Sequence, residues 1–296
     1  MAIITEPAPA KLNLALHIRR KRADGYHDLE TLFAFARDGD VVTIEPAEQD
    51  SFTITGPFAS ALQSSPGRGG GPPALTPVVE GARGGSDNLV TRARDAFRAA
   101  FACPPIAITL DKRLPIASGI GGGSADAAAT LRALARLTEI DPHHDRLFQI
   151  AAELGADVPA CLLGRPALGR GRGDHLDPLP PFDNLPLLLV NPRVALATAR
   201  MFAAWDGIDR GPIAMHGTVL ERAAQGRNDF TAAAITAAPV IAYVLDQLQR
   251  SPGATLVRMS GSGATCFALF EDTTARDAAR ATADRHGWWT LATTLA

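Results

Sequence analysis

Lysine is scarce in this chain of 296 residues: of 29 basic side chains only Lys11, Lys21 and Lys112 are lysines. Lysine carries a compact point charge and arginine a planar fork, so a chain that otherwise chooses arginine keeps lysine where one oxygen must be approached closely. Cysteine is equally sparse. Cys103, Cys161 and Cys266 are odd in number, far apart and never spaced as C-x-x-C, which argues against a disulfide framework and a structural zinc site. Each reads as a small buried side chain. Aromatics make up only 6% and the net charge is -2, a poor basis for a nucleic-acid surface. The run Arg19, Arg20, Lys21, Arg22 therefore reads as a solvated turn. No apolar run approaches a membrane span. The opening residues, interrupted by Thr5, Glu6, Pro7 and Pro9, form no signal-peptide core, so a cytoplasmic location without a membrane partner is expected.

What is present suits an ordinary globular chain: 46% apolar residues are enough for two packed domains. From Lys11 to Ile18, Leu12, Leu14, Leu16 and Ile18 alternate with Lys11, Asn13, Ala15 and His17, the period of a strand buried on one face. Lys11 and Asn13 then point the same way. After the turn Asp24-Gly25, alternation returns through Leu29, Thr31, Phe33 and Phe35, and a further strand is expected at Val41 to Ile44, giving an antiparallel sheet. Ser60 to Gly85 is crowded with Gly, Pro and Ser and reads as a mobile surface loop. Asn88 can cap a helix that ends before Pro104-Pro105, and a strand follows at Ile106 to Leu110. Helices are expected from about Ser124 to Thr138 and His144 to Leu154. Gly164 to Asn184, rich in glycine with Pro178, Pro180 and Pro181, reads as a domain junction, which places the boundary near 178. Beyond it come a strand at Leu187 to Val190, helices near Ala197 to Trp205, Pro239 to Arg250 and Thr273 to His286, two strands around Gly261-Ser262-Gly263, and a last strand at Trp288 to Thr293. That pattern suits a second α+β domain.

The strongest chemical signal is Leu114-Pro115-Ile116-Ala117-Ser118-Gly119-Ile120-Gly121-Gly122-Gly123-Ser124-Ala125-Asp126. Glycines leave a polyphosphate unobstructed and let successive amides turn inward, and the helix that follows adds its N-terminal dipole. An anion site is the expected product. No Gly-Lys-Ser/Thr follows, so this is not a Walker loop. Eight residues separate Leu110 from Gly119, too many for a dinucleotide fingerprint. Asp126 stands where a nucleophile elbow needs its last glycine.

Pro115 through Ala125 resembles the Pro-x-x-x-Gly-Leu-Gly-Ser-Ser-Ala nucleotide loop of the GHMP small-molecule kinases. Two further blocks agree in order: Pro9-Ala10-Lys11-Leu12-Asn13-Leu14 with Arg22-Ala23-Asp24-Gly25-Tyr26-His27, and Arg258-Met259-Ser260-Gly261-Ser262-Gly263-Ala264. The resemblance spans nearly the whole chain. It implies an α+β, two-domain GHMP kinase fold. A ribosomal protein S5 domain 2-like ATP-binding and catalytic domain would cover 1–178, and a ferredoxin-like substrate-binding domain 179–296. It also implies ATP and Mg²⁺ as cofactors, with no protein metal site assigned.

By that resemblance Asp157, in Gly155-Ala156-Asp157-Val158-Pro159, is the general base, and Lys11 lies beside it, holding the hydroxyl or the γ-phosphate. On residue type alone Asp157 equally suits an N-cap and Lys11 an exposed strand position. The nucleotide would meet Pro115, Ile116, Ala117, Ser118, Gly119, Ile120, Gly121, Gly122, Gly123, Ser124 and Ala125. Asn88 and Lys112 are nucleotide contacts on the same analogy, against a helix cap and a solvated turn residue. Asn13, Tyr26 and His27 would take the substrate, a small molecule with a cytidine diphosphate group. Phe202 is either a second aromatic wall or core packing. Gly261, Ser262 and Gly263 either bring backbone to the substrate phosphates or only turn between strands. Without the resemblance Tyr26 reads as a half-buried strand residue and His27 as a surface histidine. Arg170-Gly171-Arg172-Gly173-Asp174 departs from the acidic turn of related chains.

The implied reaction is phosphoryl transfer from ATP to an alcohol, by a monomer or weak homodimer. The Asp24-Gly25-Tyr26-His27 turn separates this expectation from relatives acting on homoserine, mevalonate or a sugar. A non-catalytic nucleotide- or RNA-binding module is the remaining alternative, and intact Lys11 and Asp157 speak against it.

Overall fold

The computed structural model describes residues 3–63 and 88–296. In chain order these form β1 (Ile4–Lys21), β2 (His27–Pro46), β3 (Ser51–Thr55), α1 (Ala59–Gln63), α2 (Leu89–Ala100), β4 (Ile106–Asp111), α3 (Gly122–Leu137), α4 (Asp145–Leu154) and α5 (Val158–Leu163). The second half adds β5 (Ala167–Gly171), β6 (His175–Pro178), β7 (Leu185–Asn191), α6 (Thr198–Ala203), α7 (Val219–Gln225), α8 (Thr231–Ala237), α9 (Val240–Gln249), β8 (Ala254–Met259), β9 (Cys266–Phe270), α10 (Thr273–Arg285) and β10 (Trp289–Leu295). They divide into two compact units that interleave along the chain. One is built from residues up to Ala10, Gly39–Ala117 and Gly121–Leu163, the other from Lys11–Asp38, Ser118–Ile120 and Gly164–Ala296.

In the first unit β4 lies between two neighbours, antiparallel to β2 with Val42 opposite Leu110 and parallel to β3 with Phe52 opposite Ile108. The parallel β3 departs from the all-antiparallel expectation. Its chain reaches β4 through a long excursion, which removes the hairpin constraint on direction. Helices α2 to α5 pack on one another, and the small side chains Ala127, Ala128, Ala129, Ala133 and Ala135 of α3 are fully buried, which brings backbones close. Asn88 caps α2 as expected, its side-chain oxygen accepting from Val90 N at 2.9 Å. Of the Gly/Pro-rich stretch read as a loop, Ser60–Gln63 are helical in α1, seated by buried Leu62; residues 64–85 lie outside the described residues.

In the second unit β10, β7, β9 and β8 are consecutive neighbours and all pairs are antiparallel. Helix α9 packs on β8 and β9, and α10 on β7, β9 and β10. Their shared core includes Ile18, Leu188, Val190, Ile241, Val244, Met259 and Ala268. The stretch read as a domain junction begins where the second unit resumes at Gly164 and contains the hairpin β5–β6, which pairs with β2 through Leu29 opposite Gly171. Its glycines serve the strand: a Cβ at Gly169 would lie 2.6 Å from the ring of Phe33. The two strands expected between Leu29 and Ile44 are one continuous strand. Strand β1 is buried on both faces from Ala10 to Ile18, because the segment around Asn228 runs beside it, Leu16 N donating to Arg227 O and Asp229 N to Leu16 O.

Candidate active site

Ser118–Ile120 belong to the second unit and the flanking residues of the glycine stretch to the first, and each part has its own support. In the first unit Gly121 adopts the left-handed conformation at φ 64° and caps α3, whose first bond runs from Ala125 N to Gly121 O at 2.8 Å. Gly121, Gly122, Gly123 and Ser124 stay half-buried, whereas Ala125 and the residues after it are buried. The open turn of α3 is therefore the glycine-lined one, and amides at a helix N-terminus are able to receive an anion. Pro115 is buried, Ile116 and Ala117 are half-buried, and Ala117 is left-handed at φ 53°.

Lys112, expected either as a nucleotide contact or in a solvated turn, is 3% exposed. Its Nζ donates to Asp40 Oδ2 at 2.5 Å and Asp126 Oδ2 at 2.7 Å. The solvated-turn reading is thus wrong: Lys112 belongs to a buried charge cluster. Burial works against its ammonium, yet the two carboxylates outweigh burial and raise its pKa. Burial pushes the Asp126 carboxyl well up, with Lys112 opposing. Asp157, half-buried, precedes α5, and its carbonyl accepts from Cys161 N at 3.1 Å, so it occupies the N-cap position.

In the second unit Lys11 is 3% exposed, which corrects the exposed-strand reading. Its Nζ donates to Asn13 Oδ1 at 2.9 Å and sits 5.4 Å from the centroid of Phe33. The amide of Asn13 donates in turn to Thr31 Oγ1 at 2.7 Å, and Thr31 to Ala15 O at 2.8 Å. Alternation along β1 therefore does put Lys11 and Asn13 together, with an orientation fixed by a chain of bonds.

Ser118, Gly119 and Ile120 are tied to the Gly261 loop and to β1. Lys11 N donates to Ile120 O at 2.9 Å, Thr265 N to Ser118 O at 3.1 Å, and Ser260 Oγ to Gly119 O at 3.0 Å. Asn228 holds the same loop by donating to Met259 O and Gly261 O, both at 2.8 Å. Ser262 shares a 2.9 Å bond with Thr198 at the start of α6, and Gly263 is left-handed at φ 86°.

His27 is buried rather than superficial, stacked on Phe202 at 4.7 Å between centroids with Trp205 edge-on at 5.6 Å. Burial, then the charge of Lys21, lowers its pKa, so the ring is neutral at pH 7. Phe202 also meets Phe230 edge-on at 4.8 Å and packs against the core of this unit. Tyr26 is 55% exposed, not half-buried, with the Arg172 guanidinium 5.3 Å from its ring centroid. The basic run is not free: Arg19 pairs with Glu30 and Asp209, Arg20 with Asp28, and Arg22 with Asp24 and Asp28.

Sequence reasoning passed over Asp40, Asp126, Ser260 and Asn228. Asp126 had a visible signal, a charge at the fifth residue of an alanine-rich helix, and Asp40 is an acidic side chain at the start of an apolar strand segment. Ser260 and Asn228 act through backbone atoms distant in sequence; Ser260 lay inside a matched block without a role of its own, and Asn228 carried no local signal.

Residues 88–165 match the family described as GHMP kinases N terminal domain and residues 207–287 that described as GHMP kinases C terminal. The chain belongs to the GHMP kinase family, and its α+β architecture is the fold of that family. It is 52% identical over 98% of its length to a 4-diphosphocytidyl-2-C-methyl-D-erythritol kinase of Rhizorhabdus wittichii, covering 94% of that protein. A crystal structure of a 4-(cytidine 5'-diphospho)-2C-methyl-D-erythritol kinase matches with a TM-score of 0.78 and 33% identity, over 99% of both chains. A homoserine kinase from Cytophaga hutchinsonii matches with a TM-score of 0.61 at 17% identity, over 100% of this chain and 95% of that one, a likeness of fold alone.

Proposed function

We propose that this chain is a 4-diphosphocytidyl-2-C-methyl-D-erythritol kinase. It transfers the γ-phosphoryl group of ATP to the 2-hydroxyl of that alcohol, giving ADP and the 2-phosphate on the route to isoprenoid precursors. The observation that carries this reading is the 52% identity over nearly the full length to a kinase of that name. The glycine loop, Lys11, Asp157 and the Tyr26-His27 turn all stand in this chain.

The amides at the start of α3, with the loop from Pro115 to Ala125, receive the phosphates of ATP, and Asn88 borders the nucleotide. Asp157 orients the acceptor hydroxyl and takes its proton, and Lys11, aimed by Asn13, offsets charge on the transferred group. His27 and Phe202, with Tyr26 at the rim, receive the cytosine ring, and the Gly261 loop approaches the substrate phosphates. Among the described residues no three His, Cys, Asp or Glu side chains gather into a metal cage. Ser124, half-buried in the first turn of α3, would help to hold Mg²⁺ brought in with the nucleotide. Bound there, Mg²⁺ would neutralise charge on the phosphates. Residues 1–178 form the ATP-binding and catalytic domain and 179–296 the substrate-binding domain. The enzyme is cytoplasmic, monomeric or weakly dimeric, and takes no nucleic-acid partner.

The test is ADP release with ATP and Mg²⁺, comparing 4-diphosphocytidyl-2-C-methyl-D-erythritol with homoserine and mevalonate. Turnover of the cytidyl alcohol alone is expected. Turnover of another alcohol, or of none, overturns the substrate assignment.

A further inference from the structure

The buried cluster Asp40, Lys112 and Asp126 has no role in the reaction as set out above, and its geometry points to one. Asp40 is fully buried and its two oxygens do different work. Oδ1 accepts from Arg113 N at 2.6 Å and Leu114 N at 2.7 Å, the residues that lead into the glycine loop. Oδ2 accepts from Lys112 Nζ, which crosses to Asp126 in the second turn of α3, where the loop ends. A Cβ at Gly122 would lie 3.0 Å from Lys112 Nζ and 3.6 Å from Asp40 Oδ2, so the ammonium rests against the first residue of α3. Both ends of the loop are thereby joined through one lysine.

Stability alone is a weak reason for such a cluster, because well-packed apolar residues often replace a buried ion group without loss. An ammonium beneath a helix N-terminus also repels the positive end of the dipole, and a phosphate bound at that terminus would be attracted by both. Asp126 Oδ1 is buried with no hydrogen-bond partner among the described residues, and the two carboxylates share a single ammonium.

We propose that Asp40, Lys112 and Asp126 form a clamp that sets the spacing between the two ends of the glycine loop and thereby the strength of ATP binding. Asp40 and Asp126 are positioning residues that act through Lys112 and the loop backbone. The inference rests on the reading above in which this loop receives ATP.

Asp40→Asn isolates the clamp: its carbonyl oxygen can still accept from Arg113 and Leu114, but its amide turns N–H groups toward Lys112. With the full chain, the affinity for a fluorescent ATP analogue, KM for each substrate, kcat and the melting temperature are measured. Asp40→Asn is expected to weaken analogue binding and raise KM for ATP by about tenfold or more, with KM for the cytidyl alcohol within about twofold. Asp126→Asn, whose carbonyl oxygen can still accept from Lys112 Nζ, should stay within about threefold of the parent chain, and Asp126→Ala should follow Asp40→Asn. If Asp40→Asn does not fold, Asp126→Ala carries the comparison, since Asp40 then keeps its backbone bonds. Unchanged ATP affinity in a folded variant, or a rise in both KM values together with a fall in melting temperature, overturns the clamp alone. A parent chain that binds no ATP analogue overturns the kinase reading and the clamp with it.

Discussion

Gly119 and Gly261 approach each other so closely that neither can carry a side chain. A Cβ on Gly261 would lie 2.7 Å from Gly119 O, and one on Gly119 would lie 2.5 Å from Ser260 O and 2.7 Å from Gly263 O. Both residues are left-handed, at φ 75° and 52°. The atoms in the way are backbone, so no rotamer relieves the contact. Gly119→Ala therefore combines a left-handed penalty of about 1–3 kcal/mol with a displaced loop. The expected outcome is a lower melting temperature and at least a tenfold loss of turnover, read by thermal unfolding and ADP release. Turnover within twofold of the parent would sink the idea that this docking shapes the nucleotide loop.

Much of this was legible beforehand, and the limits have physical reasons. The caps and periodicities of α2, α4, α9 and α10 are local, so Asn88, the Leu154-Gly155 boundary and the Thr273 helix could be read directly. Helix α7 was passed over although Thr218 and Glu221 form a capping box, each side chain bonded to the other's backbone N–H. The hairpin β5–β6 was hidden because its glycines serve close packing against Phe33, a partner remote in sequence. At the site, motif order singled out the glycine loop and the Lys11-Asn13 pair, while the residues that hold them required the fold. Lys112 looked like a surface turn because the carboxylates that bury it lie far away at Asp40 and on the next helix at Asp126.

The base role of Asp157 separates from its N-cap position by kinetics. Asp157→Asn keeps a residue that caps a helix well but removes the carboxylate that takes the proton. kcat is expected to fall by about 10²–10⁴ with the melting temperature nearly unchanged. Full turnover at saturating substrate would leave Asp157 as a cap and nothing more.

Phe202 stacks on His27 and packs on Phe230, so truncating it to alanine would mix recognition with core damage. Phe202→Leu keeps most of the volume and removes the stack, worth about 0.5–1.5 kcal/mol. KM for the cytidyl alcohol should rise roughly 2- to 13-fold, with KM for ATP unchanged. An equal rise in both KM values would mean the ring serves the core alone.

Arg258 is half-buried between β1 and the C-terminal end of α7, its guanidinium donating to Leu14 O, to Ala223 O at 2.6 Å and to Gly226 O at 2.7 Å. Burial brings its pKa down to about 10. Arg258→Met would leave three carbonyls without this donor, each costing about 1–3 kcal/mol where water cannot replace it. A folded variant with a melting temperature within 2–3 °C of the parent, the shift expected of about 1 kcal/mol in a chain this size, would contradict the network.

His17 gives the chain a pH dependence whose sign is fixed by its bonds. Arg227 N donates to Nε2 at 3.1 Å, so that nitrogen must be unprotonated, and Nδ1 then carries the proton and donates to Gly211 O at 3.1 Å. Burial, followed by the charge of Arg227, lowers the pKa below 6.5, while Gly211 O, Asp229 and Glu30 oppose the shift. Well above pH 6.5 the ring is neutral in both folded and unfolded chains, and this group adds no pH dependence. As pH falls below 6.5 the unfolded chain binds the proton first, so the folded state loses stability until the folded ring titrates too. His17→Gln can keep one acceptor and one donor without titrating. Its urea midpoint is expected to fall less than that of the parent between pH 7 and pH 5, and identical profiles would remove His17 as the source.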